Sequence, residues 1–453
     1  MTANTPHGDS CRAGFGRAII NPHLGLSLAG YFNPRPNTGV LDDIHVRAMV
    51  VEAEGAMSGI VSFDLCIVSE DLLRRVRSAL GNEGFPLADT IPLVATHTHT
   101  APDVGGVLSA DEPPAAYLDM VAQRAAEAVR DAMRDLAPAE LRVGVVEDNP
   151  FAFNRRYWMR NGKVVTNPGK LNPDIVAPEG PVDREVGVLA VYRAGRVVGL
   201  LANITNHTDT IGGDRVSADW PGHMERALRR VAGAGLTAIV LIGPAGNVNH
   251  FDVTTAGPQT SYSESQRIGK GYAKIVQRAL DVSVPLEPSP LRLETRRVRI
   301  PFRRVSDAEL AEARRIVATP AREASGDLTS EDLARGSEIV RRFFAEQLLA
   351  YAEWTRGRDG RDFDLAAIKF SDGLAVAFVP GEPFTEIGMA IKRASPFRHT
   401  FVASLANGDC GYVPPKQCFA RGGYEVLPVL GGGPGEETCD ILVEAAAALL
   451  RSV

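Results

Sequence analysis

The residues best suited to chemistry in this 453-residue chain are histidines that close apolar runs. In IPLVATHTHTAPDVGG, residues 91–106, a strand-like apolar pattern gives way to His97-Thr98-His99. Side chains two apart on a strand face the same side. Both imidazoles are therefore expected to emerge together from the strand's carboxyl end, where open α/β sheets place their sites. Imidazole nitrogen is a zinc ligand, yet two histidines fall short of the usual three or four protein ligands. The same pair could end a strand as hydrogen-bonded polar residues. LLANITNHTDT, residues 200–210, repeats the pattern and delivers His207, which a hydrogen bond in a turn would also explain. SADWPGH, residues 217–223, reads as a helix start with Asp219 near the cap and Pro221 in the first turn. Asp219 either caps that helix or braces the histidines from behind, and His223 reads as an ordinary helix residue.

A third apolar run, LTAIVLIGPAGNVNHFD at 236–252, empties into a glycine-containing loop. Such a loop can aim backbone N–H groups at a developing oxyanion, or it can simply turn tightly. No Lys-Ser or Lys-Thr follows and the spacing is not GxGxxG, which argues against nucleotide binding. Asn249 and His250 fall where they could face a substrate. Further on, Glu382 lies between Gly381 and Pro383 in VAFVPGEPF, and Tyr412 follows the apolar run in SLANGDCGYVPP; each is either a loop residue or a ligand. Arg155 and Arg156 could hold an anionic group or form surface ion pairs. Asp64, following the strand pattern at 59–63, joins Asp219 as a residue that could brace the site.

These residues need a scaffold of strands and helices. Strand-length apolar runs at 47–51, 59–63, 91–95, 186–191, 197–204 and 236–242 alternate with helical patterns. In residues 115–134, for example, Leu118, Val121, Ala125, Val129 and Ala132 recur on one face. The alternation predicts the α/β class. Asn161-Gly162, Ala194-Gly195 and Asp372-Gly373 predict hairpins, hence mixed sheets with flanking helices. A capping box, Ser306 with Glu309, opens a charged helical insertion over about 306–356, broken at Pro320 and Gly326. Strand patterns resume at 366–370, 374–379 and 400–405, and a last helix is expected over 437–450. No repeat or linker divides the chain, so residues 1–453 read as one domain.

Lys and Arg number 49 against 55 Asp and Glu, a net charge of -6 with no long run of one sign. That balance argues against a nucleic-acid partner. No apolar run reaches the roughly 20 residues of a membrane span, and the first 20 residues lack the basic and apolar regions of a signal peptide. A cytoplasmic protein with no membrane partner is expected. Five cysteines without a CxxC pair fit reduced thiols and give no support for zinc held on sulfur.

Taken in order, GFGRAIINP, LDDIHVRAMVV, ATHTHTAP, FNRR, GPVDREVGVLAV, NITNHTD, SADWPG, GPAGNVN, PGEPF and NGDCGYVP resemble the catalytic domain of the neutral/alkaline non-lysosomal ceramidase family. The resemblance runs across nearly the whole chain. It implies a ceramidase-like α/β domain with one zinc ion per chain, held by His97, His207, Glu382 and Tyr412, and with His99 beside the reacting water or carbonyl. Two imidazoles, a carboxylate and a phenol oxygen are donors that zinc accepts, and the ion lowers the pKa of water from 15.7 towards about 7.

The sequence departs from that family at one motif. Its ceramidases carry Ser in a Gly-Asp-Val-Ser motif, where Gly246-Asn247-Val248-Asn249 here supplies Asn. Neither the family's C-terminal β-sandwich domain nor its secretory signal is expected in a chain ending at Val453. A cytoplasmic relative acting on a small soluble substrate, as a monomer or homo-oligomer, is expected rather than a ceramide hydrolase. The leading expectation is a zinc-dependent hydrolase that cuts an amide-type C–N bond with zinc-activated water. His99, Asn249 and Tyr412 would serve catalysis, and Arg155, Arg156 and His250 would bind substrate. An ester or lactone hydrolase on the same site, and a non-catalytic metal-stabilised binding protein, are the alternatives.

Overall fold

The computed structural model of the chain describes residues 11–32, 34–105, 114–319 and 336–453. Three larger sheets organise the described residues. The first orders the strands Leu93–Ala95, Ala56–Phe63, His45–Ala53, Cys11–Ile19 and Ala137–Pro138; the second orders Thr237–Ile242, Arg196–Ile204, Glu185–Arg193, Glu140–Glu147 and Val284–Pro285. The third orders Arg292–Pro301, Gly360–Ser371, Leu374–Phe378 and His399–Ala403. In each, an antiparallel hairpin is followed by a helix and one parallel strand: Ala56–Phe63 with Leu93–Ala95, Arg196–Ile204 with Thr237–Ile242, and Leu374–Phe378 with His399–Ala403.

Burial explains why these runs are strands. Thr237–Ile242 is buried on both faces, as parallel strands under helices are. One face of each sheet contributes to a shared apolar core, with Met49, Val51 and Ile60 meeting Leu189, Leu201 and Ile239 and also Ile368, Val376 and Phe401. The opposite faces of the first two sheets pack under the helices Glu70–Asn82, Ala115–Arg134, Asp219–Ala232 and Tyr262–Asp281. The opposite face of the third is covered by Thr385–Ala394 and Thr438–Ser452.

The expected mixed α/β class is the observed one. The turn at Ala194-Gly195 has φ +47° and +74°, the left-handed pair of a two-residue hairpin. At Asn161-Gly162 only the glycine is left-handed, and Met159 N and Lys163 O close a longer loop. The capping box forms, with Ser306 and Glu309 bonding reciprocally ahead of the helix Asp307–Ala318, and a second helix spans Glu338–Trp354. The breaks expected at Pro320 and Gly326, and the first ten residues, lie outside the described residues. Among those described, no helix is long and apolar enough to cross a membrane.

The carboxyl ends of the parallel strands and their hairpin neighbours point the same way. Five loops leave them, carrying His97 and His99, His207, the glycine loop at 243–247, Glu382, and Tyr412. Loops at such strand ends are where open α/β folds gather ligands.

Candidate functional site

His97 and His99 converge by a route the sequence did not suggest. The strand stops at Ala95, and His97 itself is left-handed at φ +65°. A non-glycine residue rarely adopts that conformation, and its presence here is a local strain that the surrounding contacts must hold. Asp64 supplies part of the hold. It accepts two bonds from Arg47 at 2.9 and 2.8 Å, one from His45 N at 2.8 Å and one from Thr96 Oγ1 at 3.4 Å, immediately before His97. On the His207 side, the carboxylate of left-handed Asp219 accepts from Thr210 N at 2.8 Å, and Trp220 Nε1 donates to His207 O at 2.9 Å. Ala218, not Asp219, occupies the cap of that helix. Burial pushes the Asp219 carboxyl up to about 6.

The imidazoles are oriented by backbone carbonyls. His97 Nδ1 donates to Cys66 O at 2.8 Å and His207 Nδ1 donates to Ala245 O at 3.2 Å, since a carbonyl can only accept. As neutral imidazoles the two rings present bare Nε2 atoms, which lie 3.0 Å apart. Glu382 Oε2 is 3.2 Å from the first and 3.7 Å from the second, and with both rings neutral this buried oxygen has no hydrogen-bond partner among the described residues. With both rings neutral, three lone-pair donors face one another, an arrangement that a cation relieves; burial disfavours charge on His97, yet the Glu382 carboxylate holds its pKa well above the usual imidazole range, so the cluster draws positive charge to this point. Donor atoms bound to one tetrahedral zinc are about 3.4 Å apart, given bonds of about 2.1 Å. The residues fit such an ion, and the Nδ1-to-carbonyl bonds are the usual way of fixing a ligating histidine.

Tyr412 pairs in register with Glu382 in a short parallel bridge, Glu382–Pro383 against Tyr412–Val413. Burial and the Glu382 carboxylate push its phenol up. Gly246 allows the close approach behind Glu382, because a Cβ there would lie 2.3 Å from Glu382 O. The N–H groups of Gly243 and Gly246 donate to Ile204 O and Pro383 O, so the glycine loop serves packing at these two positions and not an oxyanion.

His99 Nε2 lies 3.3 Å from His97 Nε2, while its buried Nδ1 lacks a hydrogen bond and sits 3.8 Å from Asp209 Oδ1. Gly30, at φ +83°, provides the space for this ring, since a Cβ there would meet His99 Nδ1 at 2.3 Å. Gly30→Ala is accordingly expected to lose about 1–2 kcal/mol from the left-handed backbone alone, and more from the displaced imidazole. Denaturant unfolding measures this, and unchanged stability would contradict the packing described.

These groups line a cavity of about 450 Å³ that also exposes Tyr31, Phe32, Cys66, Arg155, Asn167, Asp209, Asn249, Arg303, Phe344 and Tyr424. Arg155 donates to Gly246 O at 2.6 Å and lies 5.2 and 5.3 Å over the rings of Tyr412 and Tyr424. The structure therefore brings His97, His99, His207, Glu382, Tyr412, Arg155 and Asn249 to one cavity. Arg156 and His250 do not line it. Arg156 is wholly buried between Glu179 and Glu425, and His250 Nε2 donates to Gln259 O at 2.7 Å.

Sequence reading passed over Cys66, Tyr31, Asp209 and Tyr424. Asp209 stands two residues after His207, as His99 does after His97, and that spacing was the available signal. Tyr31 donates to Asp209 at 2.8 Å from a Gly- and Pro-rich loop that has no chemical pattern of its own. Cys66 Sγ is 3.7 Å from His97 Nδ1, near enough to shape the pocket wall.

The sequence matches no protein-family model and no curated protein. Solved structures do match. A crystal structure of neutral ceramidase from Pseudomonas aeruginosa superposes with a TM-score of 0.73 at 19% identity, covering 98% of this chain and 75% of that one. A ceramidase complexed with C2 gives 0.72 at 18% identity, covering 98% and 76%. The strand-end loops that carry the histidines, the glutamate and the tyrosine thus belong to a chain with the neutral ceramidase fold.

Proposed function

We propose that the protein is a zinc-dependent hydrolase of an amide-type C–N bond in a small soluble substrate. The observation that carries this reading is the convergence of His97 Nε2, His207 Nε2 and Glu382 Oε2 in a ceramidase-fold cavity. With Tyr412 these residues would hold one zinc ion, which when bound supplies Lewis acidity to a water and to an acyl oxygen. The remaining work belongs to the chain. Arg155 and Asn249, on the same cavity, bind and orient the substrate. His99 Nε2, beside the donor cluster, is placed to carry a proton to the departing amine. Five free thiols suit a reducing, cytoplasmic setting.

Exhaustive chelation is expected to abolish hydrolysis of N-acyl amino acids or cyclic amides, and one equivalent of Zn²⁺ per chain to restore it. Esters and lactones in the same panel separate amidase from esterase. Turnover that survives complete metal removal rejects the proposal.

A further inference from the structure

Asn249 Oδ1 accepts from the backbone N–H of Phe251 at 3.1 Å. A backbone N–H can only donate, so this bond fixes which end of the Asn249 amide is oxygen. Its Nδ2 then donates to Asn167 Oδ1 at 3.0 Å, which fixes the second amide in turn. Each acceptor oxygen already takes one bond from the protein. What the relay leaves free is the Nδ2 of Asn167, with two N–H groups and no partner among the described residues, and one N–H of Asn249. Both residues line the cavity that holds the donor cluster. The relay therefore offers the cavity more donor than acceptor capacity.

Asn167 is also left-handed, at φ +49°, and its own N–H is anchored to Arg155 O at 2.7 Å. Asparagine tolerates that backbone better than most residues, so conformation alone could explain its presence. It does not explain why its amide is coupled to Asn249 on the cavity wall.

We infer that the Asn167–Asn249 relay determines specificity, and that the substrate carries a second sp² oxygen acceptor in its amine portion, beside the scissile bond: a carboxylate or an amide carbonyl. This rests on the hydrolase reading for the identity of the scissile bond. A carboxylate or carbonyl oxygen offers lone pairs and needs no acceptor in return. A hydroxyl oxygen is a weaker acceptor than a carboxylate and must also place its own hydrogen, for which the relay keeps only the second lone pair of an oxygen already bonded. Asn167→Asp keeps the size and the tolerance for left-handed backbone while turning donors into acceptors.

The test uses zinc-loaded protein and three compounds with one acyl chain: the N-acylglycine, its primary amide, and the N-acylethanolamine. Binding by calorimetry and kcat/KM are both measured. Wild type is expected to favour the acid and the amide over the alcohol by roughly tenfold, the worth of one hydrogen bond. Asn167→Asp is expected to shift that ratio at least tenfold towards the alcohol, with the acid losing most. Asn167→Gly, which keeps the backbone and deletes the amide, is expected to erase the preference without altering zinc content. The acid and the amide separate the two kinds of acceptor. If none of the three binds, or if the order is the same in wild type and both variants, the inference is wrong. If the binding preference shifts as expected but no compound is cleaved, the relay stands and the hydrolase reading falls.

Discussion

His97→Ala is expected to yield a folded protein with almost no bound zinc and no hydrolysis. His97 Nε2 is the hub of the donor cluster, 3.0 Å from His207 Nε2 and 3.2 Å from Glu382 Oε2. Removing it leaves the His207 imidazole, the Glu382 carboxylate and the Tyr412 phenol, one donor fewer than the proposed four and only one of them a neutral nitrogen. A lost outer partner of a zinc ligand costs about 10–100-fold in affinity, and a lost ligand costs more. Folding should survive for a specific reason. The strain at φ +65° is held by Asp64 and Thr96 through the backbone, and alanine relieves rather than adds to the crowding. Metal analysis of purified protein, alongside His207→Ala, reads the result. Full zinc occupancy in both variants would exclude the assignment.

The same loop shows how far the sequence could be read. Apolar runs ending in histidine located the strand ends, because a strand buried on both faces must be continuously apolar and its first polar residues mark the exit. The i, i+2 spacing gave the right pair for the wrong reason. His97 and His99 face one pocket because the chain turns left-handed at His97, and a conformation that costs local energy leaves no trace in periodicity. Glu382 was noticed for its place between Gly381 and Pro383. Its pairing with Tyr412 joins residues 30 apart through a two-residue bridge, far shorter than any pattern can reveal. Asn167 shows the other limit, since a polar residue after a short hairpin strand reads as a turn until its amide partner is seen.

The arginine pair makes the contrast sharpest. Two adjacent arginines read as a patch for an anionic substrate group, but alternation along an extended segment sends them to different places. Arg155 reaches the cavity. Arg156 turns away and is enclosed, bonding Glu425 at 2.7 Å and Gly422 O at 2.7 Å and pairing with Glu179. Glu425 accepts from Thr166 at 2.8 Å and lies 3.2 Å from Arg155 Nε, so one carboxylate ties both arginines together.

Arg156→Met is therefore expected to act on stability and not on substrate affinity. Glu179 and Glu425 are 3% and 0% exposed, and deleting the cation between them leaves two poorly solvated carboxylates with one looser arginine each, Arg421 at 3.5 Å and Arg155 at 3.2 Å. Breaking a buried pair by removing one partner costs about 3–5 kcal/mol, chiefly from the charge left behind. The loss should appear in denaturant unfolding. Adding Glu425→Gln to Arg156→Met should recover part of it, because the second change removes a stranded charge, and the two sites are in contact and will not add. A substrate-binding arginine would behave differently, with KM raised, stability kept and no rescue by Glu425→Gln. That second pattern would return Arg156 to the binding site. The first would establish it as the post behind Glu425, through which Arg155 is held against Tyr412 on the wall of the cavity.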